Sequence, residues 1–115
     1  VVICSVVKKK SLDLSTIVEI LRSHQGELQK QYAIKEMGVF GSYVRGEEKK
    51  RSDVDILVEF ESHVQMSLLD FIRLENALRD LLGVRVDLVE KSTLKPRIGK
   101  HILEETRYVW REREK

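Results

Sequence analysis

The chain has 115 residues, 42% of them hydrophobic and 35% charged, with 21 basic against 19 acidic side chains. That length points to one domain with a small core, and the near balance of charge gives no argument for a nucleic-acid or membrane partner. The single cysteine, Cys4, excludes a disulfide framework or a cysteine-based zinc site within one chain and fits a reducing cytoplasm. The opening VVICSVV is too short to cross a bilayer before Lys8-Lys9-Lys10, so residues 1–13 read as a leader.

Leu14, Ile17, Val18, Leu21 and Leu28 recur at helical spacing, which predicts one amphipathic helix over residues 14–31, capped by Ser11 or Asp13. Ile34 to Phe40 alternates loosely and stops at Gly41, as a short strand does. A turn and polar loop fill residues 41–52. Val54 to Phe60 is rich in β-formers and reads as a second strand. Ser67 to Asp70 resembles a capping box, and Leu68, Phe71, Ile72, Leu78, Leu81 and Leu82 carry a helix to the stop at Gly83. Val84 to Val89 alternates as a third strand. Pro96 opens a last helix, expected to bury Ile98, Ile102, Leu103, Tyr108 and Val109. A charged tail occupies 111–115. The expected fold is α/β (α+β): a small sheet flanked by helices, forming one domain over residues 14–110.

Chemistry concentrates between the first two strands. Gly41-Ser42 ends one apolar run; ten residues later Asp53-Val54-Asp55 begins the next. Side chains at i and i+2 of a strand share a face, so Asp53 and Asp55 project together. Asp87 lies on another predicted strand and joins them if the strands are neighbours. Three converging carboxylates repel one another unless a cation lies between them, and carboxylate and water ligands suit Mg²⁺ or Mn²⁺. Two such ions about 3.5–4 Å apart activate an attacking hydroxyl and stabilise a leaving pyrophosphate. Gly41 permits close approach of phosphate to backbone N–H groups, Ser42 adds a hydroxyl, and a short helix starting there brings Arg45 within reach.

This arrangement resembles the signature of the polymerase-β-like nucleotidyltransferases: Gly-Ser, ten residues, then Asp-x-Asp. The forms GSYVRGE and SDVDILVEF are most similar to the minimal nucleotidyltransferase (MNT) branch, over roughly residues 14–110. The resemblance implies a mixed sheet flanked by helices and Mg²⁺-dependent transfer of a nucleotide from a triphosphate, with ATP as donor. It implies that Gly41 and Ser42 bind phosphate, that Asp53 and Asp55 bind metal, and that Asp87 is the third carboxylate, helping to deprotonate the acceptor. Many members of the branch are antitoxins paired with a HEPN-domain toxin, and resemble enzymes that adenylylate a tyrosine of that toxin. Two alternatives stand beside this reading. One is an antitoxin that neutralises its partner by contact alone; the other is transfer to a small molecule or an RNA end.

Other residues carry plainer expectations. His24, His63 and His101 lack metal-ligand spacing. Tyr32, Tyr108 and Trp110 are expected as core or interface anchors. Tyr43 lies in the phosphate loop, where packing competes with a role against substrate. Lys95 and Arg97 flank Pro96, and Glu47 and Glu48 are surface loop residues.

Overall fold

Asp13 begins the described structure: its carboxylate accepts the Thr16 N–H at 2.9 Å and so caps helix α1, Leu14–Ser23. A computed structural model describes residues 13–46, 53–61 and 66–111. The leader through residue 12, the loop with Glu47 and Glu48, His63 and the tail from 112 lie outside the described residues.

The single helix expected over 14–31 is two. After α1 the backbone leaves helical geometry at His24 (φ −108°, ψ 12°) and resumes as α2, Gln25–Tyr32. Local side chains compete for the last carbonyls: Ser23 Oγ donates to the Ile20 carbonyl at 2.7 Å, and His24 Nδ1 lies 3.0 Å from the same oxygen. The remaining elements follow in order: β1 Ile34–Phe40, α3 Ser42–Arg45, β2 Val54–Phe60, α4 Leu68–Leu82, β3 Val86–Glu90, a 3₁₀ turn Lys91–Thr93, α5 Pro96–Glu105 and β4 Arg107–Trp110.

The four strands form one mixed sheet in the order β3-β2-β1-β4. β1 is antiparallel to β2 and β4, while β2 and β3 run parallel across the α4 crossover. Alternation along β2 turns Val54, Ile56, Val58 and Phe60 to one face, where they join Met37 and Val39 of β1. Ile17 and Leu21 of α1 and Leu74, Leu78 and Leu82 of α4 close over them. Asp55 and Glu59 consequently face the other way.

Helix α4 begins as expected: Ser67 Oγ accepts the Asp70 N–H at 3.1 Å. Its first turn is nonetheless turned outward. Leu68 is 76% exposed and Ile72 41%, so two of the apolar residues that mark the helix lie on the surface. The helix packs through Leu74, Leu78 and Leu82, a row spaced by four, and Gly83 ends it at φ 74°. Leu103 of α5, expected inside, is 37% exposed.

The last helix is shorter than its periodicity implied. It stops at Glu105, and Tyr108 and Val109 lie on a fourth strand instead. Thr106 turns the chain extended (φ −65°, ψ 131°), its hydroxyl bonded back to the Ile102 carbonyl. Tyr108, Val109 and Trp110 are strong β-formers, and β1 offers them an open edge. Met37 pairs with Trp110 and Gly38 with Tyr108. A β-carbon at Gly38 would sit 3.2 Å from the Arg107 carbonyl, so glycine lets β4 approach. Trp110 is buried as an anchor, and Tyr108 stacks under the Arg111 guanidinium at 4.1 Å. Among the described residues, no helix is long and apolar enough to cross a membrane.

Candidate active site

The parallel register of β2 and β3 aligns Asp55 with Asp87 as direct partners. Paired residues of neighbouring strands share a face, so both carboxylates rise from the sheet face opposite the core. Asp53 stands two residues before Asp55, exposed at the mouth of β2. Asp55 and Asp87 are therefore neighbours on adjacent strands, with Asp53 just before β2. Among the described residues, however, no three His, Cys, Asp or Glu side chains are gathered into a ligand cluster for a metal ion. The residue types fit Mg²⁺, being hard oxygen donors on rigid strands.

On the other side of Asp55 lies Gly41. Phe40 pairs with Asp55 across β1 and β2, which brings the next residue, Gly41, against the carboxylate. A β-carbon at Gly41 would overlap Asp55 Oδ2 and lie 2.9 Å from Cγ. Gly41 also adopts φ 84°, a conformation that side chains resist. Both observations make glycine obligatory here. Ser42 opens α3 directly after it, half-buried, and Arg45 closes α3. The short helix expected after the first strand is thus present. Tyr43 is buried within the hydrophobic core, so packing accounts for it.

One residue of the site was not anticipated. Glu105, the last of α5, accepts the Gly41 N–H at 2.8 Å through Oε2. Arg45 Nη1 donates to its two oxygens at 3.0 and 3.2 Å. Sixty-four residues separate Gly41 from Glu105 in the chain, and only the α5–β4 return brings them together.

The electrostatics of this face are unfavourable without a cation. Partial burial, then the charges of Asp87 and Asp53, push the Asp55 carboxyl up to about 6, with Glu105 adding to the rise and Arg45 opposing it. A carboxyl whose folded pKa exceeds its unfolded value near 3.9 binds its proton more tightly in the fold. Stability from this group is therefore full at acidic pH and declines as pH rises from about 4 to about 6. Asp55→Asn should remove that penalty. After discounting for solvent screening at a half-exposed group, the gain is roughly 1 kcal/mol, or about 5 °C in Tm at pH 7, in the absence of divalent cation. The gain should shrink toward zero near pH 4. Differential scanning calorimetry across that range checks both.

Concave surfaces elsewhere do not include these groups. A cavity of about 440 Å³ runs between Met66–Phe71 and Leu88–Glu90, and another of about 510 Å³ lies between Lys91 and α5. Asp53 and Asp87 are exposed and Asp55 is half-buried.

Residues 14–109 match the model of the nucleotidyltransferase domain family. The chain is 56% identical over 98 residues to protein adenylyltransferase MntA of Thermococcus cleftensis, spanning 85% of this chain and 97% of that one. A solved structure provisionally described as a minimal nucleotidyltransferase is 40% identical and superimposes with a TM-score of 0.68 over 84% of this chain and 96% of the other. The fold is shared more distantly by a complex of a tri-AMPylated HEPN toxin with its MNT antitoxin from Shewanella oneidensis, 18% identical with a TM-score of 0.59 over 82% of this chain and 72% of that one. Strand-borne aspartates beside a Gly-Ser loop, on a mixed sheet of this order, agree with these likenesses: the chain belongs to the nucleotidyltransferase domain family.

Proposed function

We propose that the chain is a cytoplasmic antitoxin that transfers AMP from ATP to a tyrosine hydroxyl of a HEPN-domain toxin. The observation that carries the transfer chemistry is the in-register pair Asp55 and Asp87, with Asp53 two residues away and the Gly41-Ser42 turn packed against Asp55. The Thermococcus relative, named a protein adenylyltransferase, supports a protein acceptor. The Shewanella complex supports a HEPN partner.

Each residue has a part in this reading. Gly41, Ser42 and Arg45 hold the phosphates, through the backbone N–H, the hydroxyl and the guanidinium. Asp53, Asp55 and Asp87 are suited to hold Mg²⁺, two ions in the full assembly. Bound there, the metal supplies charge stabilisation at the reacting phosphate and lowers the pKa of the acceptor hydroxyl. In this reading Asp87, the in-register partner of Asp55, takes the acceptor proton. The acceptor oxygen then bonds to the α-phosphorus as the bond to the departing pyrophosphate breaks, and pyrophosphate leaves with that electron pair.

Growth rescue tests the antitoxin role. Co-expression of the wild-type chain should restore growth to cells producing a HEPN protein from the same genome, and Asp53→Asn, Asp55→Asn should restore none. Full rescue by the double variant would replace catalysis with neutralisation by contact.

A further inference from the structure

We infer that the Glu105 carboxylate is a built-in competitor of the nucleotide: it fills the anion cradle formed by Gly41 and Arg45, and a triphosphate binds by displacing it. The inference rests on the assignment of Gly41 and Arg45 to phosphate binding above.

Glu105 is placed where its own helix disfavours it. The C-terminal end of an α-helix carries partial negative charge, which stabilises bases and destabilises acids. Helix α5 ends in Glu104 and Glu105 and has no base in its last turn. What offsets this lies across the fold. The Gly41 N–H, at the one turn where the backbone approaches Asp55, donates to Oε2 at 2.8 Å. The Arg45 guanidinium donates to both carboxylate oxygens at 3.0 and 3.2 Å. A backbone N–H and a guanidinium converging on an anionic oxygen pair form the donor set that phosphate oxygens take. The carboxylate therefore stands in for a phosphate.

The hold is strong enough to compete and weak enough to yield. Arg45 is 48% exposed and Glu105 26%, and ion pairs this wet are weakly held. A triphosphate brings more charge and more oxygens to the same donors. The cost of opening the cradle nevertheless subtracts from its affinity, because a ligand that needs a minor state binds in proportion to that state's population. The latch also satisfies the Gly41 N–H between turnovers, a donor that is costly to leave buried without an acceptor.

Isothermal titration of ATP, with Mg²⁺, into the full wild-type chain and into Glu105→Gln tests this. Glutamine keeps the shape and loses the charge, so the variant should bind ATP roughly fivefold to tenfold more tightly. Circular dichroism should show both chains equally folded. Equal or weaker binding by the folded variant would overturn the latch and make Glu105 a positioning residue that shapes the Gly41 turn. Inorganic tripolyphosphate is titrated alongside. If it binds the variant more tightly while neither chain binds ATP, the displacement stands and the nucleotide reading falls. If neither ligand binds either chain, both fall.

Discussion

Asp53→Asn, Asp55→Asn should lower AMP transfer by at least ~10³-fold while leaving the chain folded, a magnitude in keeping with the loss of charge stabilisation at a reacting phosphate. Asparagine keeps the shape of each side chain and removes its charge. Nothing in the hydrophobic core depends on those charges, because Val54, Ile56 and Val58 point to the other face of the same strand. The charges are in fact a burden to the free protein, as the raised pKa of Asp55 shows. A variant that is inactive and melts no lower than the wild type is therefore expected. Transfer assays with α-labelled ATP, set beside melting curves, measure both halves. Retained transfer would remove the metal assignment from these two residues.

Gly41→Ala should cost both stability and nucleotide binding. The added methyl group would overlap Asp55 Oδ2 and would force a side chain into φ 84°. Either the turn or the carboxylate must shift. With ψ at −150° the Gly41 backbone lies in a region essentially reserved for glycine. Forcing alanine into it costs about 1–3 kcal/mol, and the overlap adds to it, so a fall in Tm of roughly 10 °C is expected. The displaced carboxylate belongs to the proposed metal site and the displaced N–H to the proposed phosphate site, so ATP affinity should fall with the stability. Gly46→Ala is the control: it also has positive φ, at 73°, but among the described residues nothing lies within 4 Å of an added β-carbon. It should lose stability through strain while ATP binding changes little. Equal loss of binding in both variants would separate Gly41 from the site.

The elements that set the site were legible because their signals are local. Val54 to Phe60 announces a strand through its β-formers, and Asp53 and Asp55 are fixed by alternation once that strand is drawn. Asp87 needed one further step, the parallel pairing of β2 with β3, because the alternation of VDLVE sets its face but not its neighbour. Elements whose geometry depends on distant partners were misread. Arg107–Trp110 is too short to declare itself, and it is a strand because β1 presents an open edge beside Gly38. The break at His24 turns on side-chain hydrogen bonds that apolar periodicity ignores. Leu68 and Ile72 lie off the row of Leu74, Leu78 and Leu82: at about 100° per residue Ile72 is roughly 200° round the helix from Leu74, so it is exposed while Phe71 packs on the core. Glu105 left only one trace in the sequence, an acid at the wrong end of a predicted helix. Its partner Gly41 is found only by folding.

The most direct measurement of the proposed activity is the intact mass of a HEPN protein from the same genome, incubated with this chain, Mg²⁺ and ATP. Its mass should rise by one or more AMP units, the label should map to a tyrosine, and the rise should vanish with Asp53→Asn, Asp55→Asn. An unchanged mass in a complex that still forms would contradict adenylyl transfer and leave an antitoxin that acts by contact.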